Sequence, residues 1–216
     1  ILACMLYDDM KFKESQKECF TATQYNDTTT LRSIKLLGKC YMLLGGISKK
    51  QSDYEIIRQS YEKAAYYAKK IQDSCTLSDC YGHLVDYYRR ENNYDMVFKY
   101  AKKTYNLYMK LGLEDDAYEE LLPMTEVYLQ KKDYAKADFY LKEFERKKYY
   151  PAQKSNNLKD GCYGSYYAYK GKYYLALGMV DSALICYYNE LDFKDEISIP
   201  YIYQELANAY SIKNQT

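Results

Sequence analysis

Apolar residues recur along this chain at spacings of three and four, which places them on one face of successive helices. Two stripes alternate. The first is an octet: a large residue, another large one three positions on, a small one directly after it, and a tyrosine three positions later. It reads Ile34, Leu37, Gly38, Tyr41; Tyr81, Leu84, Val85, Tyr88; Leu121, Met124, Thr125, Tyr128; Tyr167, Lys170, Gly171, Tyr174; and Tyr203, Leu206, Ala207, Tyr210. Its small member predicts the close approach of a neighbouring helix. The second stripe steps by three, four and three: Phe12, Ser15, Cys19, Ala22; Tyr54, Ile57, Tyr61, Ala64; Tyr94, Val97, Ala101, Thr104; Tyr134, Ala137, Leu141, Phe144; and Val180, Ala183, Tyr187, Glu190. From Tyr88 to Tyr94, Tyr128 to Tyr134 and Tyr174 to Val180 the offset is constant. One short turn of fixed geometry is therefore expected to join the two helices of each pair.

The prediction is an all-α chain, an α-solenoid of antiparallel helix pairs wound as a right-handed superhelix. It forms one domain over 1–216, with repeats at about 28–72, 74–111, 113–148 and 156–193. Half-repeats at 1–26 and 197–216 flank them. Neither end reads as a polar capping helix, so the natural protein is expected to continue beyond Thr216.

Local signals refine this reading. Ser52 with Glu55 suggests a capping box, and Asn93 and Asp133 stand where N-caps are wanted. Pro200 suits a first helical turn, whereas Pro123 falls inside a first helix and predicts a kink. Longer loops are expected at Gly45–Gln51 and at about Tyr149–Asn157. Basic pairs (Lys49-Lys50, Lys69-Lys70, Arg89-Arg90, Lys102-Lys103, Lys131-Lys132, Lys147-Lys148) are read as compensation of helix dipoles at C-termini and as solvated faces.

Composition adds two constraints. Tyrosine supplies 31 of the 216 residues, with no Trp, and its apolar ring with a polar tip suits helices buried on one side only. The 31 basic and 30 acidic residues give a net charge of +1, without the basic excess expected of a nucleic-acid binder. The seven cysteines are odd in number and form no CxxC pair, which argues against a disulfide framework or a structural zinc site. Cys19 and Cys186 fall at core spacing. No stretch approaches the roughly 18 apolar residues that suggest a membrane span.

Chemistry is sparse. The single histidine, His83, follows Cys80 by three residues, so the pair can meet on one helical turn. A thiol nucleophile would also need an oxyanion donor and an orienting third group, and the sequence offers neither. Asp115 and Asp116 read as helix-dipole partners and lack calcium-loop spacing. No phosphate-binding glycine motif occurs. The expectation is no enzyme, no cofactor and no metal.

Together the stripes resemble the tetratricopeptide repeat, whose signature runs W-x-x-L-G-x-x-Y, then Ala, then Phe. The likeness covers nearly the whole chain. Departures are the missing Trp and closing Pro, Lys170 at a large apolar position and Glu190 at a small one. The spacing is also longer: second-helix anchors at Phe12, Tyr54, Tyr94, Tyr134 and Val180 lie 40 residues apart where the rhythm is regular, against about 34 for the consensus. Such lengths resemble repeats of bacterial sensor and regulator proteins and of kinesin-light-chain-like arrays.

The resemblance implies that first helices line a groove for a protein or peptide. Projected onto this sequence, that groove carries Arg32, Lys35, Lys39, Asp79, Asp86, Arg89, Glu119, Glu126, Lys172, Gln204 and Asn208. Lys35 matches one position of the family's carboxylate clamp, but Lys39 stands where Asn belongs, so no clamp is inferred. Asp181 to Leu184 followed by Tyr187-Tyr188 resembles the sensor regions of Gram-negative anaerobes. That likeness implies the interaction part of a larger signalling or transcriptional regulator, and favours a periplasmic, membrane-tethered segment over a cytoplasmic one. The alternatives are a passive scaffold that self-associates through its repeat ends and, remotely, an enzyme using Cys80 and His83.

Overall fold

The computed structural model describes residues 2–25, 28–154, 162–193 and 199–214, and among them there is no strand. The helices are α1 (Leu2–Asp8), α2 (Phe12–Tyr25), α3 (Leu31–Gln51), α4 (Tyr54–Lys70), α5 (Ser74–Arg90), α6 (Tyr94–Leu111) and α7 (Glu114–Glu119). They continue as α8 (Leu121–Gln130), α9 (Tyr134–Phe144), a π-helical turn (Glu145–Tyr149), α10 (Tyr150–Lys154), α11 (Cys162–Ala176), α12 (Val180–Leu191) and α13 (Ile199–Lys213). They form two compact units, Ile1–Leu107 and Tyr108–Thr216. In the first, α1 to α5 each pack on the next, and Tyr100 of α6 stacks on Tyr88 of α5. In the second, α8 packs on α9, α11 on both of these, and α12 on α11 and α13.

Seven helix junctions share one geometry. Met10, Ser52, Gln72, Asn92, Gly112, Lys132 and Gly178 all take positive φ. After Asn92, Lys132 and Gly178, the next N–H donates back to Tyr88, Tyr128 and Tyr174 respectively, each at 2.9 Å. Asp53, Asp73 and Leu113 close on Ser48, Ala68 and Tyr108 at the same 2.9 Å. This left-handed closure satisfies carbonyls that a helix end would otherwise leave bare. From residue 52 to 132 it recurs every 20 residues. The unit of the rhythm is thus a single helix with its turn, and pairs of these make the 40-residue repeat.

Five of the seven left-handed positions carry a side chain, although that conformation disfavours a Cβ. Gln72→Gly and Lys132→Gly are each expected to stabilise the protein by about 0.5–1 kcal/mol. That figure is the relieved left-handed strain less glycine's greater unfolded-state entropy. Thermal unfolding checks it; a lowered Tm in both variants would contradict the assignment.

N-termini are capped by side chains. Thr30, Asp53, Asp73 and Asp133 accept from the N–H groups of Ser33, Ile56, Thr76 and Lys136, and Asn93 accepts from Met96 N–H at 3.3 Å. The α4 cap is Asp53 and not Ser52, because Ser52 is used one residue earlier as the left-handed end of α3. Pro123 interrupts its helix as expected: α7 stops at Glu119 and α8 begins after Glu120. Proline at 123 has no N–H to donate to the Glu119 carbonyl, and its ring crowds that group.

Three expectations need correction. No loop exists at Gly45–Gln51, which forms the last turns of the 21-residue α3. The loop at about Tyr149–Asn157 is helical through Lys154, and 155–161 lie outside the described residues. Only the first three basic pairs sit in last turns; Lys102-Lys103 is inside α6, Lys131-Lys132 follows α8, and Lys147-Lys148 belongs to the π-helical turn.

The second stripe is the core. Ile57, Tyr61, Ala64, Val97, Ala101, Thr104, Ala137, Leu141, Phe144, Ala183, Tyr187 and Glu190 are all buried. In the first pair the octet is displaced by seven residues. The Schellman closure that falls on Tyr88, Tyr128 and Tyr174 falls there on Ser48, so the equivalent octet is Tyr41, Leu44, Gly45 and Ser48. Heptad displacement keeps nearly the same helix face, and both readings of α3 therefore look apolar. In α13 the buried side is Ile202, Leu206 and Ala209, while Tyr203, Ala207 and Tyr210 are exposed.

With the register corrected, Gly45 lies against Tyr61 and Gly171 against Tyr187, and the same sixteen-residue spacing matches Val85 with Ala101 and Thr125 with Leu141. All eight residues are buried. A small residue on one helix accompanies a large one on the other, so the interhelical space is filled by different pairs of shapes.

Candidate binding surface and the α3–α5 cleft

Three of the side chains projected as a groove, Asp86, Glu126 and Lys172, bridge neighbouring first helices, each through a partner outside the projected set. In the first unit, Lys49 of α3 pairs with Asp86 of α5 at 3.3 Å, and Arg89 donates to the other Asp86 oxygen at 3.2 Å. Arg32, Lys35, Lys39 and Asp79 are exposed on the same two helices. Asp73, the cap of α5, has a carboxyl held below its usual pKa range, chiefly by the Thr76 N–H. The Thr76 hydroxyl and the charges of Lys35 and Lys39 add to this against the opposing effect of burial.

In the second unit, Tyr169 of α11 donates to Glu126 of α8 at 3.1 Å, and Lys172 of α11 pairs with Glu205 of α13 at 3.3 Å. Gln204 and Asn208 are exposed on α13. Glu119 behaves differently: its carboxylate is bound by Nζ of Lys148, which is only 6% exposed and also donates to the Asp115 carbonyl at 3.4 Å. Glu119 thus serves the packing of α7 against the π-helical turn.

Cys80 and His83 are partnered separately. Cys80 is fully buried, its S–H lies 3.1 Å from Sδ of Met42, and burial pushes its pKa up to about 12. A thiol so placed stays protonated and is a poor nucleophile. His83 stacks on the Tyr61 ring at 4.4 Å between centroids. Burial, then the Lys49 charge, hold its pKa below the ordinary value against the weaker pull of Asp86 and Asp79.

His83 also lines a small cleft, with room for about one water molecule, together with Lys49, Tyr54, Ile57, Tyr61, Asp86, Tyr87 and Arg90. Sequence reading missed it, since Lys49 and Arg90 look like ordinary helix-end charges. Among the described residues there is no group of His, Cys, Asp and Glu side chains placed to hold a metal ion. None of their helices is long and apolar enough to cross a membrane.

A second polar cluster explains the departure at Lys170. Its Nζ donates to Glu145 at 2.8 Å and lies 2.7 Å from the Tyr166 hydroxyl, which itself donates to Glu145 at 2.9 Å. The π-helical turn begins at Glu145, and the same turn carries Tyr149, whose hydroxyl meets that of Tyr167 at 2.6 Å.

These elements define an all-α helical-repeat protein of the α-solenoid class. Among solved structures, the chain is similar to the crystal structure of BtubC (BKLC) from P. vanneervenii. The TM-score is 0.66 at 18% identity, over 95% of this chain and 82% of that one. At that identity the likeness speaks for the fold alone. No family model and no curated protein sequence matches the chain.

Proposed function

We propose that this chain is a protein- or peptide-binding repeat domain of the tetratricopeptide kind and not an enzyme. We further read it as the sensor or interaction part of a larger bacterial signalling or transcriptional regulatory protein. The observation that carries the binding reading is the surface shared by α3 and α5, where the Lys49–Asp86 ion pair bridges the two helices and Lys35, Lys39 and Asp79 are left exposed. Such a surface of patterned charge favours an extended segment of complementary charge. The occupied state of Cys80 and His83 supports binding over catalysis.

The test is a peptide array of varied charge pattern, probed with the wild-type chain and with Lys35→Glu/Lys39→Glu. Peptides with acidic segments should be retained and should lose at least about tenfold in affinity to the variant. An array with no retained peptide would overturn the reading. If association between copies through exposed Tyr203 and Tyr210 appeared in its place, the chain would be an assembly scaffold.

A further inference from the structure

Two basic pairs that lie far apart in the sequence, Lys69-Lys70 at the end of α4 and Lys102-Lys103 inside α6, come together across α5. Tyr81 of α5 packs on the cluster of Ala64, Ala65 and Cys80, and its ring meets Tyr100 of α6 at 5.5 Å between centroids. Tyr88 stacks on the same Tyr100 and donates to Glu62 of α4 at 3.3 Å. The Lys103 amine sits over both Tyr81 and Tyr100, 5.2 and 5.1 Å from their centroids, and the Lys99 amine is 5.9 Å from that of Tyr100. Ring faces attract cations, so this aromatic floor holds the amines in place. Partial burial, then the charges of Lys99 and Lys69, keep the Lys103 amine below its ordinary pKa. The acids of these helices do not relieve that repulsion. Glu55 and Glu62 are taken by Arg58, Asp95 stands in the first turn of α6, and among the described residues no acid pairs with Lys69, Lys99 or Lys103.

We propose that the amines of Lys69, Lys99 and Lys103, gathered at Tyr81 and Tyr100, bind a short chain of phosphates laid across α4 and α6. Several negative charges close together are what such a group of amines lacks. Lysine is a compact point charge that meets phosphate oxygens from any side, whereas planar recognition of a carboxylate calls for a guanidinium. Tyr100, only 8% exposed between Tyr88 and Lys103, has no face to spare for stacking a nucleobase. Two sources share this chemistry, an inorganic oligophosphate and the phosphate tail of a nucleotide. The site lies on second helices, so its failure leaves the peptide reading on α3 and α5 untouched.

Calorimetric titration with tripolyphosphate should show saturable binding that weakens as salt is raised, and sulfate at the same concentration should show none. Lys69→Gln/Lys103→Gln should bind at least about tenfold more weakly, the loss expected for removing charge-assisted contacts. Lys13→Gln/Lys17→Gln makes the same change of charge on exposed side chains of α2 and should bind as the wild type. Lys69→Gln alone, on an exposed side chain, should lose about threefold while the unfolding temperature stays in place, so binding is read apart from folding. Adenosine triphosphate separates the sources: binding no tighter than that of tripolyphosphate assigns the site to the inorganic chain, and tighter binding assigns it to a nucleotide. No saturable binding at millimolar tripolyphosphate, or equal losses in the two double variants, would overturn the proposal. Tighter binding of a short oligothymidylate than of either phosphate chain would overturn it in favour of single-stranded nucleic acid.

Discussion

Gly171→Ala is expected to destabilise the second unit by about 3 kcal/mol, at the upper end of the range for forcing a methyl into a packed core. A Cβ at position 171 would stand 2.5 Å from Cε1 of Tyr187 and 2.9 Å from Cδ1 and Cζ. The ring cannot swing aside, since Tyr187 is fully buried. Gly45 is the counterpart in the first unit, where a Cβ would stand 2.6 Å from Cζ of Tyr61. The pair of shapes, and not glycine as such, is what matters. Gly171→Thr/Tyr187→Leu copies the Thr125 and Leu141 combination of the third repeat. It should therefore be less destabilised than the sum of its two single changes by at least about 1.5 kcal/mol. Denaturant unfolding of the four proteins measures this coupling. Additive losses, or a Gly171→Ala variant as stable as the wild type, would show that the two positions do not share one interhelical space.

That pairing shows where the sequence was legible. The second stripe names the core because its burial depends only on helical period: from Ile57 to Glu190 every expected position is inside except the helix-opening Tyr94, Tyr134 and Val180, which are half-buried. The constant six-residue step to the next helix was equally readable, since it reflects one left-handed turn repeated. The first octet was misread because α3 is long enough to present two apolar octets a heptad apart. Gly45 and Gly46, which look like loop residues in isolation, lie within that helix, and Gly45 gives room to Tyr61. Size compensation could have fixed the register, because Gly45 precedes Tyr61 by the same interval that separates Gly171 from Tyr187.

The charged groups were harder to place. Glu119 looked like a groove residue because its partner, Lys148, lies 29 positions away in a turn whose π-helical geometry no spacing rule foretells. Lys170 was recognisable as an anomaly in an apolar stripe, and such an anomaly asks for a buried acid. Nothing in the sequence singled out Glu145 as that acid. The cleft is illegible for a related reason: its lining is drawn from the ends of three helices and follows no single period.

Breaking the Lys170–Glu145 pair should cost nearly as much as crowding Gly171. Both side chains are largely shielded, at 21% and 14% exposure. Lys170→Ala would leave the Glu145 carboxylate with only hydroxyl donors, at a cost of about 3 kcal/mol. Lys170→Met/Glu145→Met should recover part of that loss, because buried pairs exchange for apolar groups at little net cost, less what the buried Tyr166 hydroxyl loses with its acceptor. Alkaline titration gives an independent reading. Burial opposes the charge on Lys170, but the Glu145 hydrogen bond and charge more than offset it, so its pKa is raised in the folded chain. A cation so raised contributes stability that is complete below the unfolded lysine value, near 10.4, and is lost as pH climbs through the folded one. Burial also raises the phenol of Tyr166, with Glu145 adding to it, and a phenol held neutral while its unfolded form ionises above about pH 10 works in the same direction. Wild-type stability should therefore fall with pH above about 10, and the double-Met variant should fall less steeply because Lys170 is gone and Glu145 no longer raises the Tyr166 phenol. Parallel slopes in the two proteins would mean that the alkaline loss comes from the other buried phenols and thiols, and that this pair does not hold α11 to the π-helical turn as its geometry indicates.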